Sequence, residues 1–241
     1  ADEVRARIAA EQEAARVLRE ANPEPQPRSE RFIGRCPICL EDWDVNDMPI
    51  IRFCCCQLVC PSCEERIPDE LPCPLCRTPA PRDFAEYLAR LHRHVENDDP
   101  HAIFQLAVFY RDGAPEFPIV KNSKKAAKIA KRGVEVGGTD AMILLAGLYR
   151  DGAGVKLDRK KMMQLFRMAA DRGHPQAQLM IGIFHRDSEK FDEAFHYFKL
   201  SAEQGLKLGE RALGCAYARG HGVATSLLEA VRWYERAAAK G

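Results

Sequence analysis

Three cysteine pairs, Cys36-Pro-Ile-Cys39, Cys60-Pro-Ser-Cys63 and Cys73-Pro-Leu-Cys76, each hold two residues between their thiols. That spacing lets both thiolates of a pair reach one tetrahedral zinc at a Zn–S distance of ~2.3 Å. Between the first two pairs and running into the second stands "CCCQLVC", Cys54 to Cys60, with three cysteines side by side. Of ten cysteines, nine fall between Cys36 and Cys76, and the tenth, Cys215, stands alone. This clustering favours a compact local site over a chain-wide disulfide network, and no secretory signal is visible at Ala1. Zinc is the expected metal. Three pairs supply six thiolates and two zinc ions need eight, so the triple must provide the remaining two. The seven histidines cannot, because all lie from His92 onward.

Which two cysteines of the triple serve depends on local structure. Ile50-Ile51-Arg52-Phe53 before it and Leu58-Val59 after it read as the strands of a small hairpin. In extended chain, residues i and i+2 share a face, so Cys54 and Cys56 could share a metal while Cys55 points away. A second register, Cys54 with Cys55, stays open. Starting at Cys55 instead would make Gln57, a poor zinc donor, the fourth ligand.

With Cys54 and Cys56 the pattern is C-x2-C-x14-C-x-C-x3-C-x2-C-x9-C-x2-C. It resembles a RING finger in which Cys56 replaces the commonest fourth ligand, a histidine. The resemblance implies two structural zincs in a cross-brace: Cys36, Cys39, Cys60 and Cys63 at one, and Cys54, Cys56, Cys73 and Cys76 at the other. So short a segment buries little core, and metal supplies the missing folding energy. It also implies an activity without direct catalysis by metal or thiol: docking of a ubiquitin-conjugating enzyme and orientation of its ubiquitin thioester. Ile38 in the first knuckle, Pro74 and Leu75 in the last, and Ile67 after Cys63 match the docking positions. Arg77, directly after the last ligand, matches a linchpin bridging both partners. The plainer readings are that Ile38 and Leu75 pack the fold and Arg77 is an ordinary exposed arginine.

The segments around the cysteines set the organisation. Residues 1–21 read as a charged helix, and residues 22–34 as a proline-rich linker. The zinc segment spans 35–82 and closes at Thr78-Pro79-Ala80-Pro81. Residues 83–98 read as a capping helix, with Phe84, Leu88, Leu91 and Val95 at helical spacing.

Residues 99–241 repeat. "AIFQLAVFYRDG", "AMILLAGLYRDG", "AQLMIGIFHRDS" and "GERALGCAYARG" share small residues and a late Tyr, which His185 replaces in the third copy. Each copy has a second half ending at Gly137, Gly173, Gly205 or Gly241, so the period is 36, 32 and 36 residues. Each unit reads as two antiparallel helices. The first carries small residues for close approach. The second buries aromatics such as Phe166, Tyr197, Phe198, Trp233 and Tyr234, and Cys215 takes a buried apolar position. The pattern resembles Sel1-like repeats, relatives of the tetratricopeptide class, and "YRDGAGVKLDRKK" is close to that family's signature. The first copy departs by an insertion, Ala114 to Val120, and the third lacks the Gly-x-Gly-Val loop. The expected fold is therefore mostly α: a zinc-stapled RING with a short hairpin and helix, then an α-solenoid of helix pairs.

The 36 Lys+Arg nearly cancel 35 Asp+Glu, so no net electrostatic pull toward nucleic acid or membrane is expected. "KKAAKIAKR", Lys124 to Arg132, reads as a solvated basic helix face. No run is long and apolar enough for a membrane span, and a cytoplasmic or nuclear location is expected. Two functions are expected in order: a RING-type ubiquitin ligase with a protein substrate on its repeats, and a non-catalytic zinc-binding adaptor. Substrate, conjugating enzyme and oligomeric state are not encoded legibly.

Overall fold

The computed structural model describes residues 36–41, 50–52, 57–67, 72–113 and 119–240. The helix expected at 1–21, the linker at 22–34, the Cys54–Cys56 triple and most of the Ala114–Val120 insertion lie outside those residues. The described chain falls into two compact units, divided between Gly173 and His174.

The first unit begins with the cysteine segment. Strands β1 (Ile50–Arg52) and β2 (Gln57–Val59) pair antiparallel, with Ile50 opposite Val59 and Arg52 opposite Gln57. The hairpin expected around the triple is thus present. Helix α1 (Pro61–Glu65) follows, with Cys60 at its N-cap and Pro61 in its first turn, where a missing N–H costs nothing. Helix α2 (Phe84–Glu96) is the expected cap, started by the Asp83 side chain, which accepts from the Glu86 N–H at 2.8 Å. It buries Leu91 and Val95 against Ala102, Ile103 and Leu106.

The proline-rich connector before α2 is held in place. Arg90 Nη1 donates to the Pro79 carbonyl at 2.7 Å, and its Nη2 reaches Glu86 Oε1 at 2.6 Å. Glu86 Oε2 in turn accepts from the Arg82 N–H at 2.9 Å.

Helices α3 (Pro100–Asp112) and α4 (Ser123–Glu135) form the first repeat, and α5 (Thr139–Asp151) and α6 (Arg159–Asp171) the second. The second unit holds α7 (Pro175–Asp187) with α8 (Phe191–Glu203), and α9 (Lys207–Arg219) with α10 (Leu227–Ala238). Closing glycines Gly137, Gly173 and Gly205 take φ of 87°, 83° and 85°, which a side chain would resist. Close approach within a pair is real: a Cβ on Gly182 would lie 2.7 Å from the Phe198 ring.

Two burial expectations need correction. Phe166 and Phe198 are buried, but Tyr234 at the equivalent position is 40% exposed. Phe198 is covered by Leu213 and Ala216 of the following repeat, whereas no described helix follows α10. Cys215 is half-buried rather than buried.

One interior position changes polarity from copy to copy. The fourth residue of each first helix meets the last residue before the closing glycine. Ile103 and Val136 belong to one apolar cluster. Met142 meets Arg172, whose Nη1 lies 3.7 Å from the sulfur and donates to the Gly137 carbonyl at 2.6 Å. Gln178 Oε1 accepts from Gln204 Nε2 at 2.7 Å. Glu210, 0% exposed, accepts from Lys240 Nζ at 2.8 Å, and Lys240 also donates to the Gly205 carbonyl at 2.6 Å.

Candidate metal centre

The outer two cysteine knuckles are one turn built twice. In the first, Leu40 N–H donates to the Cys36 carbonyl at 2.9 Å and Cys36 N–H to Glu41 at 3.0 Å. In the last, Arg77 N–H donates to the Cys73 carbonyl at 2.8 Å and Cys73 N–H to Thr78 at 2.9 Å. The residue after each second cysteine is left-handed, Leu40 with φ 62° and Arg77 with φ 59°. A proline follows each first cysteine and fixes φ there, as Pro61 also does in the middle pair. The middle pair differs: Cys63 N–H and Glu64 N–H both donate to the Cys60 carbonyl as α1 begins.

These elements bring Cys36, Cys39, Cys60 and Cys63 together, with all four sulfurs within 4.8 Å of one another. Cys39 Sγ and Cys60 Sγ are 3.8 Å apart. A tetrahedron with Zn–S bonds of ~2.3 Å has sulfur–sulfur edges of about 3.8 Å. A disulfide would need about 2.05 Å, and every described cysteine is free. The donor set therefore fits a tetrahedral soft-ligand metal. Cys36 and Cys63 are buried, while Cys39 and Cys60 are more open.

The thiols do not share protons evenly. Burial raises Cys36, but backbone N–H groups of Cys60, Cys39 and Ile38 aimed at its sulfur outweigh that and bring it to about 6. Cys63 is pushed up to about 12, first by its hydrogen bond to the Cys60 sulfur and then by burial. Crowded thiols with one favoured thiolate are a chemistry that a divalent cation resolves by displacing the remaining protons.

For the second expected set the structure describes Cys73, buried, and Cys76, exposed with its sulfur 3.2 Å from Thr78 Oγ1. Cys54 and Cys56 lie outside the described residues. Among the candidate docking residues, Leu75 packs beside Cys36, Val59 and Cys63, so the last knuckle meets the core of the first set. Ile38 is 36% exposed, Pro74 and Arg77 are exposed, and Ile67 is half-buried. Sequence reasoning missed the left-handed Leu40 and the Arg90–Glu86 clamp behind the last knuckle. Only the recurrence of a polar side chain after each Cys-Pro-x-Cys turn could have hinted at Thr78.

Comparison with known proteins bears on the repeats. The Sel1 repeat family model matches residues 100–136, 139–174, 175–206 and 208–241, more than half of the chain. The chain belongs to the Sel1-repeat family. Its helices resemble a solved Sel1 repeat protein from Oxalobacter formigenes, 28% identical, over 69% of this chain and 48% of that one, with a TM-score of 0.60. They also resemble c5321, a protective antigen of uropathogenic Escherichia coli, 30% identical over 64% of this chain and 33% of that one, with a TM-score of 0.59. A chitin synthase regulator, SKT5, of Malassezia restricta is 28% identical over 66% of this Sel1-repeat chain. The DAP3-binding cell death enhancer 1 of Rattus norvegicus is 36% identical over 35% of it. The chain spans 12% and 17% of the length of these two relatives. The cysteine segment lies outside the matched repeats. No helix among the described residues is long and apolar enough to cross a membrane.

Proposed function

We propose that this Sel1-repeat protein is an adaptor, in which a two-zinc module is joined to helix pairs that hold protein partners. The observation that carries it is the cluster of four cysteine sulfurs within 4.8 Å, beside a family-matched repeat array. Cys36, Cys39, Cys60 and Cys63 would hold one zinc, and Cys54, Cys56, Cys73 and Cys76 the other. With four protein ligands a zinc has no open position, so its contribution is structural. A relative named for binding another protein supports partner binding by the repeats. Native mass spectrometry of the full chain should find two zinc ions. Cross-links to bound partners should map to residues 99–241. A metal-free folded chain, or cross-links confined to the cysteine module, would refute this reading.

The exposure of Ile38, Pro74 and Arg77 on the two outer knuckle turns favours a second reading, a RING-type ubiquitin ligase. There, Ile38, Ile67, Pro74 and Leu75 form the groove for a ubiquitin-conjugating enzyme, and exposed Arg77 bridges to ubiquitin. The module contributes by orienting the thioester rather than by chemistry of its own. Ile38→Ala should weaken docking of the conjugating enzyme, and Arg77→Ala should slow ubiquitin discharge with zinc content unchanged. Equal discharge by wild type and Arg77→Ala would leave only the adaptor.

A further inference from the structure

The near-neutral chain hides an uneven charge distribution. Between Lys121 and Arg172 stand 13 Lys/Arg and 5 Asp/Glu, a net +8 within a chain of net +1. The excess lies on α4, α6 and the segments leading into them. Lys124, Lys128 and Lys131 are exposed along α4, at i, i+4 and i+7. At the equivalent positions of α6, Lys160 and Arg167 are exposed, with Gln164 between them. The same positions in the next repeats are Asp192, His196 and Lys199, then Leu228, Arg232 and Glu235. The basic stripe is therefore a property of two repeats and not of the repeat type.

These cations are not spent on ion pairs. Lys124, Lys128, Lys131, Lys156, Arg159 and Arg167 make none among the described residues. They also stand where helices disfavour them. Lys124 and Lys128 repel at i,i+4 spacing. Neither α4 nor α6 has an acid in its first turn, whereas α8, α9 and α10 do. Cations there oppose the helix dipole. A surface needed only for solubility would mix signs.

The segment leading into the second stripe packs against the start of the first. A Cβ on Gly154, at φ 73°, would lie 2.1 Å from the Ser123 carbonyl oxygen and 2.6 Å from the Lys124 nitrogen. The loop carrying Lys156 into α6 thus lies directly on the first turn of α4.

We propose that α4 and α6 form a docking surface for an acidic protein segment, one rich in Asp and Glu. This rests on the reading that the repeats bind protein and names the partner's chemistry. Lysine dominates the surface, a point charge on a flexible stem that suits carboxylates presented without fixed geometry. No aromatic ring interleaves with Lys124, Lys128 and Lys131 on α4 to stack on bases, which disfavours single-stranded nucleic acid.

The test is fluorescence anisotropy of a labelled peptide alternating Asp and Glu, titrated with the full zinc-loaded chain at ~0.05 M ionic strength, where exposed charges are least screened. Binding should weaken steeply with added salt. The Lys124→Glu/Lys160→Glu variant should bind at least about tenfold more weakly, as expected when several surface charge contacts are reversed. Its melting temperature should not fall, because an acid at position 124 faces Lys128 favourably and both new carboxylates suit their helix N-termini. A control, Lys190→Glu/Arg211→Glu in the other unit, should bind as wild type. No binding of the peptide, equal loss in the control, or tighter binding of a DNA duplex or of anionic vesicles would each overturn the proposal. Partner cross-links elsewhere on residues 99–241 would then leave the adaptor reading intact.

Discussion

Lys240→Gln tests whether the polarity of the interior pair position is set pairwise. The substitution removes the cation 2.8 Å from Glu210 and leaves a carboxylate with 0% exposure. Breaking a buried pair by removing one partner costs about 3–5 kcal/mol. Arg236 still reaches Glu210 at 3.2 Å but is 52% exposed, so the low end, about 3 kcal/mol, is expected. Glu210→Gln should cost about 1 kcal/mol, since Lys240 keeps the Gly205 carbonyl and some access to water. The double variant installs the pair found at Gln178 and Gln204, which bonds at 2.7 Å, and should also cost about 1 kcal/mol. The coupling is thus about 3 kcal/mol, at the upper end for contacting residues. Urea unfolding followed by tryptophan fluorescence reads it locally in a Trp43→Phe background. Trp233 then reports alone, 4.4 Å from the Arg236 guanidinium. Single-variant losses that simply add in the double would refute the reasoning.

In the triple, Cys55→Ser should keep two zincs, whereas Cys54→Ser and Cys56→Ser should each lose one, because a hydroxyl is a much weaker donor than a thiolate. Alkylation with peptide mapping should label Cys55 first, and protection of Cys55 with labelling of Cys56 would establish the other register. Gly154→Ala should cost about 3 kcal/mol, from left-handed strain plus the clash with Ser123; an unchanged thermal melt would show that the loop does not rest on α4. Hydrogen bonding to Arg111 holds the Asp112 carboxyl below its ordinary 3.8, so its contribution to stability is complete above that value and lost as pH falls through the lower folded one. The stability difference between wild type and Asp112→Asn should therefore vanish on acidification, and a difference that persists at acid pH would exclude the ion pair as its cause.

The repeats were legible because glycine marks each closing turn and helical spacing marks each buried stripe. The capping helix was legible for the same reason, from Phe84, Leu88, Leu91 and Val95. The interior pair position was not. Its members are Ile103, Met142, Gln178 and Glu210 against Val136, Arg172, Gln204 and Lys240, and they share neither identity nor polarity. What recurs is complementarity across about 30 residues, which a search for likeness passes over. Burial of Tyr234 was misjudged because composition shows what a position is, not whether a neighbour covers it. In the cysteine module, spacing marked the three pairs, and it was the resemblance to a RING finger that grouped Cys36 and Cys39 with Cys60 and Cys63, whose sulfurs lie within 4.8 Å of one another. The left-handed turns at Leu40 and Arg77 were hidden, since neither residue type favours positive φ.

Tandem copies carry a hazard of their own. Their helices are alike enough to pair with the wrong neighbour while the chain folds, and such swapped states bury nearly the same apolar area. The interior pair position acts against this as a lock whose key differs in each copy. If α10 closed on α7, Lys240 would meet Gln178, and buried Glu210 would be left without its ammonium. If α6 closed on α9, Arg172 would satisfy Glu210, but Met142 would face an empty guanidinium slot and Lys240 would be stranded. Each such mispairing forfeits a matched contact to a buried first-helix residue, Met142, Gln178 or Glu210, and an unmatched polar group costs most where it is buried. The apolar pair Ile103 and Val136 would accept no charged intruder at all. Copies that differ at this one place can otherwise stay similar without exchanging partners.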